Sequence, residues 1–211
     1  MYTVLSATPS PYARKVRIAL IEKGIPFTLK TEVPWDAETE TPKWNPLEKL
    51  PVLITEAGEG IYESRFILEW LEARHPTPPM LPDEVDACLA ARQMEVLADG
   101  VCDAFVLHFW ERHRAPEHQS AEWLARQRRK IDGGLQEIAR RIGTREFAIG
   151  DRFGLGDIAA ATVAGYLTVR WPDLKWRDAY PHLAAYCDRM ERRSSFAATK
   201  PVPQKISDKV V

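Results

Sequence analysis

The sequence predicts a two-part chain, an α/β unit of element order β-α-β-β-β-α followed by an all-helical bundle. Three observations carry that expectation. Runs with a strand-like period of two are confined to the N-terminal part, helical periodicities take over from about Asp83, and a proline-rich segment, HPTPPMLP at 75 to 82, separates the two. That segment cannot continue a helix and is stiff enough to set an angle between its neighbours. The expected boundaries are 1–76 for the α/β domain, 77–82 for the linker and 83–211 for the helical domain.

Each element has a local reason. YTVLS at 2 to 6 fits a short strand, and Pro11 opens a helix in which Val16, Ala19, Leu20 and Lys23 recur at helical spacing before Gly24 stops it. FTLKTEV at 27 to 33 alternates apolar and polar side chains, and after an irregular stretch bearing Trp and Pro, PVLIT at 51 to 55 reads as another strand. The turn EAGEG separates it from GIYE, a hairpin signal. SRFILEWLEARH at 64 to 75 is amphipathic, with Ile67, Leu68 and Leu71 inward. Residues 83–113, 119–142, 155–169 and 178–193 read as helices, broken at Pro116, Gly143, Gly150, Pro172 and Pro181. The tail PVPQKISDKVV carries no pattern that assigns it.

Composition excludes several partners. Lysine plus arginine number 29 against 30 aspartate plus glutamate, so the net charge of -1 sets up no field that gathers polyanions, and RQRRK at 126 to 130 is a solvated helix face. No nucleic acid is expected. Hydrophobic residues make up 45 % of the chain but never run for the ~18 residues of a membrane span, so no membrane partner is expected either. MYTVLSATPSPYARK enters a β-like pattern at once and lacks the basic-then-apolar order of a secretory signal, which makes the cytoplasm the expected location. Cys88, Cys102 and Cys187 are distant, odd in number and free of any C-x-x-C pair, so they read as buried small hydrophobes rather than disulfides or thiolate ligands. His108, His113 and His118 are spaced by five, about 140° per step around a helix, which spoils a shared ligand face; no metal is expected.

Between the first strand and helix lies SPYARK at 10 to 15, the place where a disulfide-exchange turn would carry two cysteines. With none present, it cannot form a mixed disulfide. Ser followed by Pro is a helix opening, with Ser10 as N-cap accepting from the Ala13 amide and Pro11 at the first helical position. Four segments then combine: SPYARKVRIALIEKGIPF, NPLEKLPVL at 45 to 53, IYESRFILEWLE, and FAIGDRFGLGDIAAA at 147 to 161. In this order, ahead of an all-helical half, they make the chain resemble the glutathione transferases, specifically small bacterial cytosolic members, over nearly its whole length. The resemblance implies a thioredoxin-like first domain and a helical bundle second. Two positions depart from the family pattern. Glu48 stands where a glycine is usual, and Gly154 where Ser or Thr is usual, leaving Asp157 to reach back to the N-cap amide, with Phe153 and Ile158 placed for a hydrophobic staple.

The resemblance also implies a chemistry and the residues for it. The co-substrate is glutathione, whose thiol has a pKa of about 8.5; lowering that by two units takes about 2.7 kcal/mol, and one hydrogen bond to a charged group supplies about 1.5–3. Ser10 is the implied donor, with Thr8 and Tyr12 as neighbouring hydroxyls. Leu50-Pro51 is expected to be cis, with Leu50 offering backbone groups to the cysteinyl portion, and Lys49 to meet the glycine carboxylate. Glu63 and Ser64 are implied for the γ-glutamyl end, Ser64 also capping the helix it opens, with Arg65 assisting. Phe105, His108 and Phe109 are candidates for the hydrophobic-substrate pocket, although such a stripe also suits a core, and Asp99 or Asp103 for reaching the ammonium across a dimer. The implied protein is a homodimeric detoxifying transferase acting on a small hydrophobic electrophile. Peroxide reduction, isomerisation, dehalogenation and a non-enzymatic glutathione-binding module remain open at this level.

Overall fold

The computed structural model describes residues 1–205; residues 206–211 of the unassigned tail lie outside the described residues. Two compact units emerge, one of Met1–Met80, Gly165–Pro172 and the chain from Glu191, the other of Leu81–Ala164 and Asp173–Met190.

In the first unit, β1 (Tyr2–Ser6), β2 (Phe27–Thr31), β3 (Val52–Ile54) and β4 (Gly60–Tyr62) form one sheet in the order β2-β1-β3-β4. The β1–β2 pair is parallel, as a strand–helix–strand connection through α1 (Pro11–Glu22) requires, and the other two pairs are antiparallel. Helices α1 and α2 (Ser64–Arg74) pack on the sheet through Val4, Val16, Leu20, Leu53, Ile67 and Leu71, all fully buried. Each such side chain contributes about 1.5–3 kcal/mol of burial, and this cluster is the unit's core. Helix α1 ends as its glycine predicts, with Gly24 at φ 66. The proline segment after α2 is held by Lys23, whose ammonium pairs with Glu72 at 2.7 Å and donates to the carbonyls of His75 (2.7 Å) and Pro78 (2.9 Å).

The helical unit is organised by α3 (Val85–His113) against α4 (Ala121–Ile142). Gln127, Ile131, Gly134, Leu135, Ile138 and Ile142 form the buried stripe of α4, whose first turn is capped by Ser120 accepting from the Trp123 amide. At Gly134 the two helices approach so closely that a Cβ would lie 2.2 Å from a Val101 methyl. Helix α5 (Leu155–Arg170) comes next, then a short helix α6 (Trp176–Ala179) and α7 (Pro181–Glu191); α8 (Ser194–Ala197) lies in the first unit. Ahead of α5, Asp157 makes the expected reach back, accepting from the Gly154 amide at 3.0 Å. Cys102 and Cys187 are buried as expected, whereas Cys88 is only half-buried.

Candidate active site

The sheet register gathers the site. Leu5 on β1 pairs with Val52 on β3, and Val52 pairs with Tyr62 on β4, so the exits of β1 and β4 and the entry of β3 lie at one end of three neighbouring strands. Strands sit about 4.8 Å apart. The segments carrying Ser10, Lys49-Leu50-Pro51 and Glu63-Ser64-Arg65 therefore meet the sheet side by side, and α1 and α2 both begin there. Two helix N-termini add partial positive charge to that end.

Ser10 is half-buried and caps α1: its Oγ accepts from the Ala13 amide at 3.2 Å while its own amide donates to the Ala7 carbonyl at 3.1 Å. The hydroxyl hydrogen is not used in that cap, so cap and donor roles coexist. Two residues earlier, the Thr8 hydroxyl oxygen is buried with no partner among the described residues.

The Leu50-Pro51 bond is cis, as expected from the motif. The preceding loop is pinned by Asn45, a buried residue that heads the NPLEKLPVL segment and that no sequence pattern marked for this role. Its Nδ2 donates to the Lys49 carbonyl at 2.7 Å, and its Oδ1 and carbonyl accept from the Leu47 and Glu48 amides, each at 2.9 Å. Lys49 is exposed and Leu50 half-buried. Glu48 adopts φ 55, the left-handed conformation that glycine takes at little cost. Glu48→Gly is accordingly expected to raise stability by about 0.5 kcal/mol, the difference between a relieved left-handed penalty and the glycine's larger unfolded-state entropy. A urea midpoint unchanged or lowered in this variant would count against the strain.

Glu63 and Ser64 divide their roles differently from the expectation. The N-cap of α2 is Glu63, not Ser64: the Glu63 carboxylate accepts from the Arg65 amide at 3.3 Å and from the Ser64 hydroxyl at 3.1 Å. Ser64 is the first helical residue and is buried, so its hydroxyl is committed to holding Glu63. Glu63 sits at φ 66 and ψ 130, outside the regions comfortable for a residue with a Cβ. Its carboxylate stays half-exposed, with Arg65 Nε 3.7 Å away.

In the helical unit, Phe105, His108 and Phe109 share one face of α3; the first two are buried and Phe109 is half-buried. Burial, then the charges of Arg112 and Arg128, push the His108 imidazole below the ordinary histidine range. Asp99 is buried and Asp103 exposed on the same helix. No cluster of His, Cys, Asp or Glu suited to a metal ion exists among the described residues.

The family model for the glutathione S-transferase N-terminal domain matches residues 9–74, and that for the C-terminal domain matches residues 121–189. YibF of Escherichia coli K12, an uncharacterised GST-like protein, is 38 % identical over 194 residues, 91 % of this chain and 95 % of its own. The maleylacetoacetate isomerase of Pseudomonas aeruginosa is 30 % identical over 192 residues, 83 % of this chain and 87 % of that one. Among solved structures, a glutathione S-transferase of Methylobacterium radiotolerans in complex with glutathione sulfonate is 62 % identical with a TM-score of 0.98, covering 100 % of this chain and 99 % of that one. Another from Methylobacillus flagellatus, with glutathione bound, is 38 % identical with a TM-score of 0.91, covering 96 % and 100 %. On sequence over nearly its full length and on the sheet and helices that carry those motifs, the chain belongs to the glutathione S-transferase family.

Proposed function

We propose that this protein binds glutathione at the sheet end described above and activates its thiol for attack on a small electrophile. The observation that carries the reading is the Leu5–Val52–Tyr62 register, which aligns the Ser10, Leu50 and Glu63 segments along one end of the sheet, side by side for an extended tripeptide. Relatives at 62 % and 38 % identity hold glutathione sulfonate and glutathione, which supports the same ligand here. Ser10 donates its hydroxyl hydrogen to the sulfur and so favours the thiolate. Leu50 offers its backbone to the cysteinyl portion, and Lys49 meets the glycine carboxylate. The Glu63 carboxylate takes the γ-glutamyl ammonium, while the α2 N-terminus with Ser64 and Arg65 favours the α-carboxylate. Phe105, His108 and Phe109 contribute to the electrophile's side. No metal takes part in this scheme.

Ser10→Ala tests it. The bound thiol's pKa, followed by thiolate absorbance, is expected to lie below about 8.5 in the wild type and to rise by about one to two units in the variant, the equivalent of one charge-assisted hydrogen bond. Turnover at a pH below both values falls about ten- to a hundredfold. The lost cap also costs about 1 kcal/mol of stability, so Ser10→Thr, which keeps a cap, is the control. Equal thiol pKa values in wild type and Ser10→Ala would remove Ser10 from the mechanism.

A second copy of the chain is the proposed partner. Val85, Leu89, Val96 and Leu107 are all more than two-fifths exposed along α3, apolar surface that a homodimer would cover. No helix among the described residues is long and apolar enough to cross a membrane. The three cysteines are free, which suits the reducing cytoplasm proposed for a detoxifying enzyme. The isomerase relative is 30 % identical, so isomerisation stands beside conjugation as an outcome for the same thiolate.

A further inference from the structure

The turn that carries β1 into α1 holds a hydroxyl that the proposed scheme leaves unused. Ser10 donates its amide to the Ala7 carbonyl at 3.1 Å, which closes residues 7–10 into a tight turn with Thr8 and Pro9 at its corner. Pro9 is buried, and its ring fixes the backbone angle that follows Thr8. On one flank the Glu32 amide donates to the Ser6 carbonyl at 2.9 Å; on the other the Leu5–Val52 register, continued by two residues, brings Leu50 beside Ala7. Thr8 therefore stands between the Leu50 backbone assigned to the cysteinyl portion and the Ser10 hydroxyl assigned to the sulfur. All three residues belong to one compact unit. Residues two apart have Cα atoms at most about 7 Å from each other, so one sulfur can lie within reach of both hydroxyls.

The Thr8 hydroxyl oxygen is buried and has no hydrogen-bond partner among the described residues. Other hydroxyls of the same unit are met: Ser6 donates to the Ala7 carbonyl at 3.3 Å, Ser10 accepts from the Ala13 amide, Thr39 bonds to Glu32 and Thr41, and Ser64 donates to Glu63. A buried hydroxyl left unmet is uncommon and costs free energy, so its partner is to be sought in another state of the site. Thr8 as a whole is only half-buried. A turn about χ1 carries its oxygen to another staggered position and breaks no hydrogen bond, because none is made. Ser10 has a single hydrogen to donate, whereas a thiolate sulfur accepts more than one hydrogen bond.

We infer that Thr8 is a second catalytic hydroxyl: when glutathione binds, the Thr8 side chain turns about χ1 and donates to the tripeptide's sulfur, so that Thr8 and Ser10 hold the thiolate between them. The inference rests on the reading of thiol activation given under the proposed function. Neither hydroxyl loses its proton; both only donate hydrogen bonds, and the thiol proton passes to solvent. For the test, thiolate absorbance of bound glutathione is titrated against pH in wild type, Thr8→Val, Thr8→Ala, Thr8→Ser, Ser10→Ala and the double variant Thr8→Val with Ser10→Ala. Thr8→Val and Thr8→Ala are each expected to raise the bound thiol's pKa by about one unit and to lower turnover about tenfold at a pH below both values. Thr8→Ser, which keeps the hydroxyl, holds the wild-type value, and the double variant returns to about 8.5, the free thiol's value. The urea midpoint of ligand-free Thr8→Val rises, because valine buries no unmet donor. A hydroxyl that only shaped the turn would move that midpoint and leave the thiol's pKa unchanged. A wild-type pKa in Thr8→Val or Thr8→Ala, or a Thr8→Ser shifted as far as Thr8→Val, overturns the inference, and a shift in Ser10→Ala then leaves the transferase reading standing. A bound thiol that titrates at about 8.5 in the wild type, or no binding of glutathione, overturns both.

Discussion

Asp157→Ala is expected to lower the unfolding free energy by about 4 kcal/mol, since one deletion strands two buried donors and a half-buried one at about 1–3 kcal/mol each. The Asp157 carboxylate, on a residue only 1 % exposed, accepts from the Ala148 amide at 2.8 Å, the Gly154 amide at 3.0 Å and the Tyr186 hydroxyl at 2.6 Å. It thereby joins the turn before α5, the first turn of α5 and the middle of α7. Burial, followed by the Asp157 charge, pushes the Tyr186 phenol above its usual range, so that hydroxyl is a donor at neutral pH. Asp157→Asn keeps acceptor capacity on one oxygen and is expected to cost about half as much, while Tyr186→Phe removes a single donor for about 1 kcal/mol. Urea unfolding of the three variants gives the order directly. A loss below about 1 kcal/mol in Asp157→Ala would mean that the turn relaxes and rehydrates.

Arg14→Met is expected to cost about 3 kcal/mol, the lower end of the range for removing one partner of a buried ion pair. Arg14 is 2 % exposed, forms two bonds to Glu191 at 2.9 and 2.8 Å, and donates to the Phe196 carbonyl at 3.1 Å. Its guanidinium also lies over the Phe196 ring, 5.2 Å from the centroid. Methionine fills much of the volume but removes one donor from the Phe196 carbonyl, which keeps the Thr199 amide, and leaves the Glu191 carboxylate without its cation. Glu191 is 31 % exposed, so part of its charge can return to water, which sets the lower end of the range. The loss should be local: amides of Ala197, Ala198 and Thr199, protected now by the α8 turn, exchange faster in the variant while those of β1 and β3 do not. Arg14→Met combined with Glu191→Leu should recover part of the loss. Uniformly faster exchange across the first unit would show that the pair supports the whole core instead.

Much of the site is legible in the sequence because its parts are local. The Ser-Pro opening of α1 needs only four consecutive residues, and the observed cap, Ser10 accepting from Ala13, is the one those residues dictate. The reach of Asp157 to Gly154 spans three residues and is equally visible. The cap of α2 is not, because its Glu-Ser pair offers two oxygens to the same amides. The choice falls to Glu63 through a backbone at φ 66, which no side-chain preference signals. The role of Asn45 is hidden as well, since its partners are backbone groups of a loop without periodicity.

By itself the amino-acid sequence determined the order and type of the main elements, the end of α1 at Gly24, the loss of cysteine chemistry at Ser10, and the family. Those properties arise from side-chain period and from contacts within one helical turn. Only the tertiary structure decided that β1 lies between β2 and β3, that Arg14 meets Glu191 across 177 residues, that Asp157 receives Tyr186, and that the Thr8 hydroxyl is buried with no partner among the described residues. Pairings of this reach depend on which surfaces the whole chain can bury together, and no local pattern of residues encodes that choice.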